Sequence, residues 1–182
     1  EKYILRSDIL YECSDVTVND EHSGYVWSVI ELEDGRLATG GRDATVRIWN
    51  RTQTGIHLEQ VLSGHECSVT ALLTPSPGYV WTGSRDGRLI RWRSEHGKWL
   101  LEHAQSLDGG AILSLSRAGN AIACGSADGG IRLFSSTGNA IGSLQGSGWA
   151  WALSETKSSH LLSAHEDGYL RLWDLTTQQL VD

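Results

Sequence analysis

One pattern returns four times along this chain: an Asp, five intervening residues, and an aromatic that closes a strand-like run. The copies are Asp43 to Trp49, Asp86 to Trp92, Asp128 to Phe134 and Asp167 to Trp173, with successive aromatics 43, 42 and 39 residues apart. A period near ~40–45 residues with one aromatic-capped strand per unit predicts stacked β-sheet modules, none able to bury its apolar face alone. No run shows the 3.6-residue periodicity of a helix, so an all-β fold is expected.

Inside each unit, short strands alternate with turn signals. The first unit has YVWSVIEL, the turn Glu33-Asp34-Gly35, RLATGG and ATVRIW; the second has SVTALL, a turn from Pro75 to Gly78, YVWTGS and RLIRW. The third has AILSLS, the turn Ala118-Gly119-Asn120, AIACGS and GIRLF; the fourth has WAWALS, a polar turn, HLLSA and YLRLW. An outer strand follows each aromatic: IHLEQVL, KWLLEHAQ, NAIGSL and QQLVD. Gly87, Gly129 and Gly168 each follow the unit's Asp, and Asp-Gly suits a tight hairpin turn between second and third strands.

Charge and cysteine content limit the partners. The net charge is −7, and residues 1–34 carry all of that excess, with nine acids against two bases. An acidic chain repels phosphate backbones, so nucleic acid is not expected as the principal ligand. The local run Arg85, Arg88, Arg91, Arg93 and Lys98 reads as a solvated strand face. Cys13, Cys67 and Cys124 lack any paired spacing, which predicts free, buried thiols in a reducing compartment and no zinc site. No apolar stretch approaches the ~18 residues of a membrane-spanning helix. The chain starts at Glu1 and contains no Met, as expected of a piece of a longer protein.

A second layer of spacing lies behind the repeat. His22 precedes Asp43 by 21 residues and His65 precedes Asp86 by 21, while Thr39, Thr82 and Ser163 stand four residues before their Asp. These residues resemble the WD-repeat (WD-40) β-propeller family, in which a His, a Ser or Thr, the turn Asp and the strand-end Trp form one buried hydrogen-bonded chain per blade. The resemblance implies the sets His22, Thr39, Asp43, Trp49 and His65, Thr82, Asp86, Trp92. An indole only donates, a carboxylate only accepts, and hydroxyl and imidazole do both, so each group can be partnered. In the third unit Phe134 cannot donate, Cys124 replaces the hydroxyl, and no His precedes Asp128 by 21; the three members are lost together. In the fourth, Gly146 occupies the His position. Only Trp173-Asp174 is a literal WD dipeptide.

The resemblance implies four-stranded antiparallel blades, with repeats at 22–63, 64–105, 106–145 (degenerate) and 146–182. Residues 1–21 would supply outer strands of a preceding blade, YILRS as third and SDVTV as fourth. Four blades make roughly four-sevenths of the seven-bladed wheel usual in this family. Three closures are open: an excerpt of a longer propeller, completion by another chain or a second copy, or a self-closed four-bladed ring.

In this family the top face is lined by two positions flanking the first apolar residue of the innermost strand and by one preceding the turn Asp. These are Tyr25, Trp27 and Arg42; Ser68, Thr70 and Arg85; Ala111, Leu113 and Ala127, with a one-residue ambiguity; and Trp149, Trp151 and Glu166. Three Trp, one Tyr and two Arg are a composition typical of interface hot spots. The expected partner-binding residues are therefore Tyr25, Trp27, Arg42, Arg85, Leu113, Trp149, Trp151 and Glu166. Trp49, Trp92 and Trp173 are expected to be structural, and Trp81 and Trp99 to pack between blades.

The implied function is a non-catalytic scaffold binding protein or peptide partners, intracellular, cytoplasmic or nuclear, with no cofactor. His65, Asp86 and Ser84 could be drawn as a hydrolytic triad, but a catalytic set should occur once rather than repeat at blade spacing. Metal binding by His22 and Asp43, or by His160 and His165, is likewise not expected. One alternative is a structural piece whose open blade edges are completed by other blades. Another is substrate recognition in a ubiquitin-type complex; the Arg that some such propellers carry two positions after the WD dipeptide is replaced by Thr52, Ser94, Ser136 and Thr176.

Overall fold

Strand-forming runs broken by tight turns leave each segment one pairing partner on either side, and the result is a series of antiparallel meanders. The computed structural model describes residues 3–6 and 9–12, as backbone, and residues 21–181. A first pair, β1 (Tyr3–Arg6) and β2 (Ile9–Glu12), is antiparallel. The expected outer strand SDVTV, residues 14–18, lies outside the described residues.

Four four-stranded sheets follow, each ordered as the chain runs. The first holds β3 (Val26–Glu31), β4 (Leu37–Gly41), β5 (Thr45–Thr52) and β6 (Gly55–Ser63). The second holds β7 (Val69–Leu73), β8 (Tyr79–Ser84), β9 (Arg88–Glu95) and β10 (Lys98–Ser106). The third holds β11 (Ile112–Ala118), β12 (Ala121–Ser126), β13 (Gly130–Phe134) and β14 (Ala140–Gln145). The fourth holds β15 (Ala150–Glu155), β16 (His160–His165), β17 (Leu170–Asp174) and β18 (Gln179–Leu180). No helix occurs among the described residues.

Three apolar layers join the sheets into an arc. Ala38, Val46 and Ile48 of the first sheet pack against Val80, Ile90 and Trp92 of the second. Trp81 and Leu89 meet Ile112, Ile122 and Phe134, and Ala123, Ile131 and Leu133 meet Ala150, Leu161 and Trp173. Trp81 and Trp99 are both buried in such layers. The innermost strands β3, β7, β11 and β15 pack in succession, and hydroxyls stitch them: Thr70 Oγ1 donates to Ile112 O, and Ser114 Oγ donates to Ala150 O at 2.8 Å.

Burial along the strands records where the arc stops. In β8 and β12, covered on both faces, consecutive residues are buried without alternation. In β16 the pattern alternates: Leu161, Ser163 and His165 are buried, while His160, Leu162 and Ala164 are half-buried. Leu162 pairs with Leu172 and Ala164 with Leu170 on that second face, and Leu170 is 65% exposed. At the other end Val29 is 63% exposed beside Thr39. Among the described residues no apolar cluster joins the fourth sheet to the first.

The turn between second and third strands differs from a two-residue Asp-Gly hairpin. Gly87 N donates to Ser84 O and Gly129 N to Ser126 O, so the Asp is the third residue of the turn and the Gly the fourth. That fourth residue has positive φ in every sheet, and in the first sheet it is Ala44, at φ 63°. A Cβ in this region is disfavoured by about 1–2 kcal/mol. Ala44→Gly is therefore expected to raise unfolding stability by about 1 kcal/mol in urea denaturation, whereas a loss of stability would mean that Ala44 is held there without strain.

Candidate protein-binding face

The turn carboxylate is the fixed point from which the face is built. In all four sheets its Oδ1 accepts the N–H two residues on: Thr45 on Asp43, Arg88 on Asp86, Gly130 on Asp128 and Tyr169 on Asp167. The second oxygen of Asp43 and of Asp86 accepts from the incoming loop, through Ser23 N at 3.0 Å and Glu66 N at 2.7 Å. One side chain thus ties a hairpin to the connection entering its blade.

Behind the carboxylate, two sheets carry the full relay. Trp49 Nε1 donates to Thr39 Oγ1 at 2.8 Å, His22 Nε2 lies 2.7 Å from that hydroxyl, and His22 Nδ1 lies 2.9 Å from Asp43 Oδ1. In the second sheet the distances are 3.0 Å for Trp92 to Thr82, 2.7 Å for Thr82 to His65 and 3.3 Å for His65 to Asp86. With the proton on Nδ1, every donor in this line meets one acceptor, and the imidazole is neutral. Burial pushes the pKa of His65 down, in keeping with that form. Burial works against ionisation of Asp43, yet the hydrogen bonds from His22, Thr45 and Ser23 hold its carboxyl down at about 2.

The other two sheets show what replaces the relay. In the third, Arg132 bonds both Asp128 Oδ2, at 2.7 Å, and Ser126 Oγ, at 3.0 Å; burial pushes the Cys124 thiol up to about 12. In the fourth, a Cβ on Gly146 would fall 2.5 Å from His165 Cε1. The His position is empty of side chain because a different histidine fills its space. His165 Nε2 lies 2.8 Å from Ser163 Oγ, which also accepts from Trp173 Nε1 at 2.8 Å, and His165 Nδ1 faces Gly148 O at 3.1 Å. Asp167 turns instead to Ser147 Oγ and to the Arg171 guanidinium, which holds its carboxyl well below the usual range. His165 was not legible as a relay member, because it approaches from its own strand rather than from the entering loop. The Asp–Arg partnership had a signal: an Arg stands four residues after the Asp in three units, Arg47, Arg132 and Arg171.

The catalytic and metal readings meet different geometry. Ser84 Oγ donates to Cys67 O at 2.9 Å rather than to His65, and His160 Nδ1 lies 2.7 Å from Ser158 O. Cys67 is exposed, in contrast to the expected buried thiol, and Cys124 is buried; both are free.

The face itself follows from a backbone irregularity repeated four times. The register between first and second strands slips between Val26 and Ser28, Val69 and Ala71, Ile112 and Ser114, and Ala150 and Ala152. Each slip leaves one residue outside the ladder, namely Trp27, Thr70, Leu113 and Trp151. A bulge of this kind re-aims its side chain. Just above it, the residue before the Asp donates to the strand entry in every sheet: Arg42 N to Tyr25 O, Arg85 N to Ser68 O, Ala127 N to Ala111 O and Glu166 N to Trp149 O. The recurring bond places the third sheet's Ala111, Leu113 and Ala127 in the same frame as the others.

The eight expected binding residues do not form one cluster. The Tyr25 and Trp27 rings lie 5.6 Å apart, tilted by 55°, Arg42 lies over the Tyr25 ring at 5.8 Å, and Arg85 of the next sheet lies over Trp27 at 5.7 Å. All four are exposed. Trp149 and Trp151 make a separate exposed pair at 5.2 Å, with Glu166 on the neighbouring turn, and no ring contact joins the two groups among the described residues. Leu113 is different: at 7% exposed it is part of the wall. In the arginine run, Arg88, Arg91 and Arg93 pair with glutamates, Arg91 lying over the Trp81 ring as well, while Arg85 has the Trp27 ring and no acid among the described residues.

A repeated Asp-anchored meander with indole relays defines a WD-repeat propeller segment. A family profile for the WD domain, G-beta repeat, matches residues 13–50, 57–93 and 138–174, and the chain belongs to this family. The profile passes over the region of the third sheet's first three strands, where Phe134 and Cys124 interrupt the relay. Similar proteins include "DENN domain and WD repeat-containing protein SCD1" of Arabidopsis thaliana, 28% identical over 85% of this chain and 14% of that protein. "Nuclear distribution protein PAC1-2" of Uncinocarpus reesii is 28% identical over 85% of this chain and 30% of its own length. "Protein transport protein SEC13" of Yarrowia lipolytica is 30% identical over 46% of this chain and 30% of its own. The chain thus spans less than a third of the length of these relatives. WD-repeat proteins generally mediate protein–protein interaction and act as scaffolds. No helix among the described residues is long and apolar enough to cross a membrane.

Thr82 is fully buried and is the acceptor and donor that joins Trp92 to His65. Thr82→Val keeps its shape and leaves both partners unsatisfied, so a loss of about 1–3 kcal/mol is expected in urea denaturation. An unchanged midpoint would show that the relay adds nothing to stability.

Proposed function

We propose that the chain is the non-catalytic, partner-binding portion of an intracellular WD-repeat scaffold, cytoplasmic or nuclear, and that a protein or peptide segment docks on its bulge-lined face. The observation that carries this reading is the ladder Arg42–Tyr25–Trp27–Arg85, which crosses from the first blade to the second. Blade packing does not require Trp at the bulge, since the second and third blades place Thr70 and Leu113 there. Aromatic rings offer large contact area at low entropic cost, and Trp, Tyr and Arg are the residues enriched in hot spots. The exposed free thiol of Cys67 suits a reducing compartment. Capture from cell extract followed by mass spectrometry tests the reading with two variants, Trp27→Ala/Arg42→Ala and Leu170→Lys. The first is expected to lose its partners with little change in thermal midpoint, and the second to retain them. The reverse pattern would move the interface to the blade edge.

A second reading is favoured by the exposed apolar faces at Val29 and Leu170: a structural segment whose open edges are covered by other blades or chains. Under it, the isolated chain self-associates with rising concentration in sedimentation velocity, and Val29→Lys with Leu170→Lys suppresses this. A strict 19.9 kDa monomer at every concentration would overturn it.

A further inference from the structure

The arginines of this chain are almost all spoken for. Of the eleven whose side chains are described, eight lie within ion-pair distance of an Asp or Glu. A ninth, Arg117, donates to Thr74 O at 3.3 Å. The remaining two are Arg42 and Arg85. Neither has a carboxylate partner among the described residues, although the chain carries seven more acids than bases. Both instead lie over the rings of the tilted Tyr25–Trp27 pair, one on each ring.

This arrangement has a definite chemistry. An Arg held near an aromatic ring keeps its full charge and its five N–H donors, because the ring satisfies none of the hydrogen bonds. Guanidinium is weakly hydrated and forms paired bonds to carboxylates that are stronger than neutral hydrogen bonds. The Tyr25 and Trp27 rings limit where each cation can go, so less side-chain freedom is lost when an acid arrives. Two unpaired cations flanking an apolar ledge thus complement acidic side chains set around a small or apolar residue.

We infer that the Arg42–Tyr25–Trp27–Arg85 ladder selects an acidic peptide segment of a partner protein, its carboxylates meeting Arg42 and Arg85 while its backbone lies over the two rings. This rests on the bulge-lined face being the binding face, and it goes further by naming the chemistry of what binds. Among the described residues no acid serves these two positions, which leaves both guanidinium groups open to the carboxylates of a partner.

The test uses fluorescence anisotropy with three dye-labelled probes: a peptide of alternating Glu and Ala, its Gln–Ala counterpart, and oligothymidylate. The Glu peptide is expected to bind about tenfold more tightly than the Gln peptide, and the difference should shrink as salt rises. In Arg42→Gln/Arg85→Gln the difference between the two peptides should vanish, with the thermal midpoint preserved because both side chains are exposed. Equal binding of the two peptides by wild type overturns the inference, as does a Glu preference that survives in the double variant. Oligothymidylate binding as tightly as the Glu peptide also overturns it, in favour of a general anion site. If both peptides bind equally and Trp27→Ala removes that binding, the bulge-lined face stands as the interface while its acidic preference falls.

Discussion

Everything in this arc hangs from one short-range bond: the carboxylate of the turn Asp accepting the N–H two residues later. It is made in all four sheets, including the third, where indole, hydroxyl and imidazole are all missing. The hairpin between second and third strands is therefore fixed by a bond within its own turn and needs no contact from another blade. The other carboxylate oxygen then recruits whatever the unit provides: a loop N–H and histidine in the first two sheets, arginine in the third, serine and arginine in the fourth. The relay adds burial and order to an anchor that does not depend on it.

This explains which parts of the molecule were legible in its residues. The aromatic period and the Asp position report on local turns and strand lengths, which depend on a few residues each, and the four sheets follow. The paired spacings of His22 to Asp43 and His65 to Asp86 are legible for the same reason, since each relay stays within one unit. What depends on packing between units was not. Leu113 is spaced like Trp27 and Trp151, yet its bulge is walled in by neighbours. His165 takes over a relay only because Gly146, nineteen residues earlier, leaves room for its ring. Spacing places Arg42 and Arg85 on the same face, but only the geometry shows them over Tyr25 and Trp27, one on each ring of a tilted pair.

The contrast between inner and outer blades has the same origin. A propeller blade is a sheet with two apolar faces, and each face is satisfied only by the next blade. Where a neighbour exists on both sides, as for β8 and β12, polar residues such as Ser84 and Ser126 must find partners inside the protein; Ser84 Oγ binds Cys67 O and Ser126 Oγ accepts from Arg132. At the ends of the arc, Val29 and Leu170 remain in solvent, and alternation of burial returns.

The bulge on each innermost strand separates two jobs that a regular strand would combine. Because the displaced residue has no partner in the register, its identity is free of cross-strand pairing, and the four copies hold Trp, Thr, Leu and Trp at one backbone position. Successive blades can thus change the chemistry they present one side chain at a time while the frame beneath stays constant. Descendants of such a repeat could acquire new binding preferences through single codon changes, without passing through an unfolded ancestor.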